Sequence, residues 1–196
     1  MGLEIIKQWP WLARLMIPLW QWDARQKFKR LEQWLNPQDS ILELGSGLGT
    51  IAHYFQLQGF KIVPLDIQNC SLLSEVNPII YEGNKIPFDN QTFSRVLLLT
   101  VLHHTIDVGS ILCEAKRVGK KIIIIEDIYD NKLQQYLTYA VDSLVNFEFL
   151  EHPHNNRTDE EWQNLFKRLK LKLIYTENYS FLFVFKQVIY VLETGE

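Results

Sequence analysis

Three glycines alternate with small or apolar residues in Glu43-Leu44-Gly45-Ser46-Gly47-Leu48-Gly49-Thr50, directly after an apolar run from Ile41 that contains one acid. Glycine lets a backbone turn sharply and approach a ligand that a Cβ would strike. The N–H groups opening the helix that follows can then face a nucleotide-like ligand. Asp66 stands at the end of the next apolar run, about 20 residues on, the expected place for an acid that binds ribose. Its carboxylate can accept hydrogen bonds from both hydroxyls of a vicinal diol. Two further candidates, His103 and His104, close a later apolar run. An imidazole titrates near neutrality and can remove a proton from an acceptor hydroxyl or amine. A competing role for His104 is a structural hydrogen bond joining the fourth strand to its following helix. The glycine spacing differs from the dinucleotide pattern Gly-x-Gly-x-x-Gly, which weighs against a nicotinamide-dependent oxidoreductase.

The residues around these groups predict the elements that hold them. Ile41 to Leu44 reads as a strand, Thr50 to Leu57 as a helix, and Gly59 as its left-handed C-cap. Phe60–Leu65 forms a second strand, Pro78–Glu82 a third and Val96–Thr100 a fourth. A helix over Ile111–Val118 leads to Ile122–Ile125, so apolar that it fits a parallel strand covered on both faces, and Glu126-Asp127 ends it. The basic residues around Gly119 read as a solvated rim at the end opposite the site. Asn131–Asn146 predicts a helix, His152 to Arg157 a loop, and Thr158-x-x-Glu161 a capping box opening the helix Glu161–Leu169. Lys172–Tyr175 and Gln187–Leu192 read as closing strands.

Glu43 to Gly49 resembles the first motif of class I S-adenosylmethionine-dependent methyltransferases. Glu82 to Phe93, with its Ile86-Pro87-Phe88 turn, and Leu102-His103-His104 resemble the small-molecule, type 11 branch of that family. The resemblance spans roughly Leu31 to Leu192. It implies an α/β, Rossmann-like doubly wound seven-stranded sheet with an antiparallel last strand, helices on both faces and an N-terminal helical lid. It also implies S-adenosyl-L-methionine as methyl donor and a small, partly apolar acceptor methylated by in-line displacement. By resemblance the cofactor-binding residues are Glu43, Gly45, Ser46, Gly47, Gly49, Asp66, Ile67, Glu82, Gly83, Asn84 and Thr100. Glu82 would hold the adenine amino group while Gly83 and Asn84 present backbone to the ring, with the Asn84 amide a competing partner. His104 and His103 are the catalytic candidates. Two departures stand out: Ser94-Arg95 where relatives carry an acid, and Thr100 where they often carry Asp or Glu. Both favour the alternative of a non-catalytic binding or assembly protein that retains the fold.

At 196 residues the expectation is one domain, with residues 1–36 a helical extension and 37–196 the Rossmann-like core. A net charge of −3 without a basic stripe argues against a nucleic-acid substrate. Cys70 and Cys113 have neither metal nor disulfide spacing and read as reduced, half-buried residues of a cytoplasmic protein. No ligand spacing gathers His103, His104, His152 and His154 into a metal site. Trp9, Trp11, Trp20 and Trp22 crowd the N-terminal segment, which Pro10, Arg14 and Pro18 interrupt too often for a membrane span. It also lacks the small-residue cleavage site of a secretory signal. From Ala24 the pattern is amphipathic, with Ala24, Phe28, Leu31 and Leu35 on one face. Three readings follow for the segment: packing on the sheet, a lid over the cofactor and acceptor, or weak contact with a membrane surface.

Overall fold

A computed structural model describes residues 9–129, 132, 134, 136, 155–181 and 185–195. Its strands are β1 (Ser40–Leu44), β2 (Lys61–Asp66), β3 (Ile79–Ile80), β4 (Phe93–Leu99), β5 (Gly119–Ile128), β6 (Lys172–Phe181) and β7 (Phe185–Glu193). They form a seven-stranded sheet in the order β3-β2-β1-β4-β5-β7-β6. The first five run parallel, and β7 inserts antiparallel between β5 and β6. β1 is followed in sequence by its neighbour on one side, while β4 pairs on its other side. This reversal opens a crevice at the carboxyl ends of the strands.

Helices cover both faces, which is why β5 is apolar along four consecutive residues. On one face α1 (Pro10–Leu31) and α2 (Thr50–Leu57) bury Phe28, Leu31, Ala52 and Phe55 against Ile41, Leu97, Ile123 and Ile125. On the other, α3 (Val108–Val118) and α4 (Asp159–Arg168) bury Leu112, Ala115, Trp162 and Phe166 against Leu42, Val96, Ile122 and Ile124. The expected capping box opens α4: Glu161 N donates to Thr158 Oγ1 at 3.3 Å, and Thr158 N donates to Glu161 Oε2 at 2.8 Å. Gly49 and Gly59, with φ of 79° and 85°, bracket α2 where expected.

Several boundaries differ from expectation. α1 is one helix from Pro10, not an amphipathic piece beginning at Ala24. Pro10 occupies the first turn, where its missing N–H costs nothing, and Pro18 faces outward. β3 is only two residues long, and β6 continues to Phe181 through Glu177, Asn178 and Ser180, polar residues that conceal a strand. The basic residues before β5 are partnered rather than merely solvated. Arg117 holds Glu114 at 2.7 Å and the carbonyls of Ile86 and Phe88, while Lys116 reaches the carbonyls of Leu169 and Lys170. Cys70 is buried and Cys113 exposed, so neither is half-buried, and neither is in a disulfide. The helix expected over Asn131–Asn146 lies outside the described residues except at 132, 134 and 136, as do His152 and His154. Among the described residues no helix is long and apolar enough to cross a membrane.

Candidate active site

The turn after β1 is left-handed at all three glycines, with φ of 73° at Gly45, 49° at Gly47 and 79° at Gly49. Asp66 ties this turn to the end of β2. Its Oδ2 accepts from Gly47 N at 2.7 Å and its Oδ1 from Ile67 N at 2.7 Å. The structure thus joins the two motifs that spacing alone had paired. It also gives two of the glycines a second reason. A Cβ on Gly45 would lie 2.2 Å from Val101 Cγ2, and one on Gly49 would lie 2.7 Å from Ser71 Oγ. Those two glycines make room for the protein's own neighbours.

Glu43 is buried on β1 beneath the turn, and neither carboxylate oxygen has a hydrogen-bond partner. Burial and then the nearby charge of Asp66 push its pKa up to about 8, against the pull of Lys27. A buried carboxylate left this way is costly until a cation or donor reaches it. Ser46 is buried in the turn with its hydroxyl likewise unpartnered. An amino-acid ammonium fits the first of these groups, and a polar ligand edge fits the second.

Thr100, at the end of β4, has φ of 56°, an uncommon conformation for a β-branched residue and one that concentrates at functional sites. Its hydroxyl accepts from Lys27 Nζ at 3.0 Å and donates to the Leu99 carbonyl at 2.7 Å. Lys27 also pairs with Asp23 one helical turn earlier, at 2.8 Å. At the end of β4 the chain thus presents a hydroxyl that meets a lysine of α1. The first half of the same helix packs Ala13, Met16, Ile17 and Trp20 on Leu48 of the glycine turn and on Leu72. The packing reading of this segment holds for α1.

Beyond Thr100, Leu102–His104 forms a single 3-10 turn. Glu126, fully buried at the end of β5, organises it. Glu126 Oε1 accepts from Val101 N at 2.9 Å and Leu102 N at 2.7 Å, and Oε2 meets His103 Nδ1 at 2.6 Å. His103 is buried; His104 is half-buried, with the two ring centroids 4.0 Å apart. Sequence reasoning gave Glu126 no role. The available signal was that β5, like β2, ends in acid at the crevice side.

Ile67, Glu82, Gly83 and Asn84 are exposed at the rim. Ile67 Cγ2 lies 3.4 Å from where a Cβ of Gly83 would stand, so these two form one edge. Asn84 borders a shallow hollow of about 640 Å³ that includes Lys85, Asp107 and Ser110 near the start of α3. Arg95 lies at the opposite end of the sheet, where its Nε donates to the Trp34 carbonyl at 3.1 Å and faces Asp39 at 3.5 Å. This departure from the family pattern is a staple remote from the crevice. Among the described residues no cluster of three or more His, Cys, Asp or Glu side chains could hold a metal ion.

Residues 42–124 match the family model described as a methyltransferase domain, of type 11. No curated protein matches the sequence. Among solved structures, an S-adenosylmethionine-dependent methyltransferase of Methanosarcina mazei is 17% identical, with a TM-score of 0.66 over 83% of this chain and 96% of that one. Magnesium protoporphyrin IX methyltransferase of Synechocystis PCC 6803, crystallised with bound S-adenosylhomocysteine, is 13% identical, with a TM-score of 0.62 over 88% and 83%. The 4+2 cyclase SpnF is 10% identical, with a TM-score of 0.67 over 87% and 80%, so the fold also houses other chemistry. The matched segment contains the glycine turn, Asp66 and the Leu102–His104 turn, and around it stands the sheet order described above. The chain therefore matches a methyltransferase domain over residues 42–124 and shares its fold with solved S-adenosylmethionine-dependent methyltransferases.

Proposed function

We propose that this protein transfers the methyl group of S-adenosylmethionine to a small, partly apolar acceptor bound beside the ends of β4 and β5. The carrying observation is Glu43, a buried carboxylate without partners directly under a left-handed glycine turn braced by Asp66. Glu43 would hold the ammonium of the donor's amino-acid end, Asp66 its ribose, and Glu82 or Asn84 its adenine edge. Gly45, Ser46, Gly47 and Gly49 would line its path, with Ile67, Gly83 and Thr100 at the margins.

The bound donor supplies an electrophilic methyl: the nucleophile's lone pair forms the new bond, the carbon–sulfur pair stays on sulfur, and the nucleophile loses its proton. Most of the rate would come from alignment, which rigid elements on both sides of the crevice can impose. His104 is half-buried on the turn after β4 and is the candidate to take the proton. Behind it, His103 is held by Glu126, so Glu126 and His103 orient the turn rather than touch the acceptor.

Because a cyclase shares the fold, the test must follow the methyl group itself. Donor labelled in its methyl carbon is incubated with the protein and a metabolite extract, and the organic fraction is counted. Labelled product that requires the protein and falls sharply in His104→Ala supports this reading. Donor that binds yet yields no labelled product from any extract would return the fold to a binding role.

A further inference from the structure

A second cavity lies under α1, separate from the glycine turn. It measures about 200 Å³ and is lined by Trp22, Asp23, Gln26, Lys27 and Arg30 of the helix, and by Tyr179, Ser180 and Gln187 of β6 and β7. The five helical residues share one face by their spacing. β6 ends and β7 begins beside the carboxyl end of β5, since Asp127 pairs with Gln187 and Ile128 with Lys186. Lys27 reaches Thr100 at the end of β4. The cavity therefore lies toward the carboxyl ends of β4 and β5.

Its floor is fixed by a chain of hydrogen bonds. Tyr179 donates to Gln187 Oε1 at 2.7 Å, and Gln187 Nε2 donates to half-buried Asp127 at 2.8 Å. Those groups satisfy one another and leave the charged wall to the helix. Arg30 stacks its guanidinium 3.7 Å from the Tyr179 ring centroid, and no carboxylate pairs with it among the described residues. Stacking leaves the in-plane N–H donors of an arginine available. Lys27 has Asp23 as its counter-charge. Arg30 is thus the cation of this wall that no carboxylate bonds among the described residues. Trp22 and Tyr179 add aromatic surface.

We infer that this cavity receives the methyl acceptor and that the acceptor is a small organic carboxylate, its anionic end held by Arg30 with Lys27 behind it. The inference rests on the methyltransferase reading for the word acceptor, but not for the anion site. A single guanidinium without a carboxylate partner matches a singly charged carboxylate better than a doubly charged phosphate. A cavity of roughly 150 Å³ accommodates benzene, so this one has room for an aromatic ring and its acid group. The planar fork of arginine matches a carboxylate with two parallel hydrogen bonds.

The test is calorimetric titration of the full chain with benzoate, benzamide and phenyl phosphate, each with and without S-adenosylhomocysteine. Benzoate binds, and benzamide, its neutral analogue of similar shape, binds at least about tenfold more weakly, as expected when a charge-assisted pair is lost. Arg30→Gln removes the preference for benzoate and leaves the affinity for S-adenosylhomocysteine unchanged, while Arg30→Lys restores part of the preference. Equal affinity for benzoate and benzamide, or S-adenosylhomocysteine binding with no benzoate binding, overturns the carboxylate site alone. Tighter binding of phenyl phosphate than of benzoate overturns its assignment to a carboxylate. Benzoate binding without S-adenosylhomocysteine binding upholds the anion site and overturns the methyltransferase reading. Binding of neither overturns both.

Discussion

Glu43 and Asp66 illustrate what single residues reveal and conceal. Both were legible because each sits within a strand's reach of the glycine turn, and that spacing gives an acid a job. Their division of labour was not legible. Asp66 spends hydrogen bonds on Gly47 N and Ile67 N, so it braces the turn besides the ribose-binding role proposed for it. Asp66→Ala should weaken S-adenosylhomocysteine binding by roughly 10- to 100-fold, the ~1.5–3 kcal/mol typical of hydrogen bonds to a charged group. It should also lower the melting temperature, and calorimetry with thermal unfolding checks both; a loss of affinity with no loss of stability would deny the bracing role. Gly45→Ala tests the packing reason for that glycine. A Cβ 2.2 Å from Val101 Cγ2, at φ of 73°, should destabilise the fold, and Val101→Ala in the same chain should recover part of the loss. Full stability in Gly45→Ala, read by denaturant unfolding, would show that no such clash exists. Lys27, Arg30, Tyr179 and Gln187 could not be found from sequence, because more than a hundred intervening residues separate groups that only the sheet brings together.

Elements were legible where local chemistry marks both ends. Gly49 and Gly59 bound α2, and Thr158 with Glu161 opens α4, so those helices fall close to expectation. β6 and α1 were not marked in this way. Polar residues along β6 are stabilised by pairing with β7, and α1 is held by tertiary packing across Pro18 rather than by propensity. Phe28 anchors α1, meeting Tyr54, Phe55 and Phe60 edge-on at centroid distances of 5.4, 5.0 and 5.6 Å. Phe28→Ala should cost about 3–5 kcal/mol. Because the same helix covers the glycine turn, S-adenosylhomocysteine affinity should fall too. Thr158→Ala is the control, costing about 1 kcal/mol at a cap remote from the crevice. Denaturant unfolding combined with ligand titration separates the two; equal effects on affinity would remove α1 from the site.

For the molecule as a whole, the unligated fold carries an acid that it would rather keep protonated. Glu43 has its pKa raised from 4.5 to about 8. The folded state therefore holds a proton that the unfolded chain releases. That contribution is fully present below about pH 4.5 and is lost as pH rises toward 8. Thermal unfolding across this range should show wild type losing stability relative to Glu43→Gln, with the variant the more stable of the two at pH 9. Parallel pH profiles for the two proteins would mean Glu43 is already ionised or solvated. The seven-stranded architecture was readable from the alternation of strands and helices together with the family resemblance, and the sheet order agrees with it. What the whole molecule adds is the placement of α1, which brings one lysine between the cofactor turn and the cavity beneath the helix.

The central claim is that the glycine turn and the Glu43 beneath it bind a nucleoside bearing an amino-acid ammonium. Isothermal titration with S-adenosylhomocysteine tests it most directly, run at several pH values on wild type and Glu43→Gln. The account predicts micromolar binding that tightens as pH rises toward 8, releases a proton from the protein, and becomes weak and insensitive to pH in the variant. Absence of binding, or identical binding by both proteins at every pH, would contradict it.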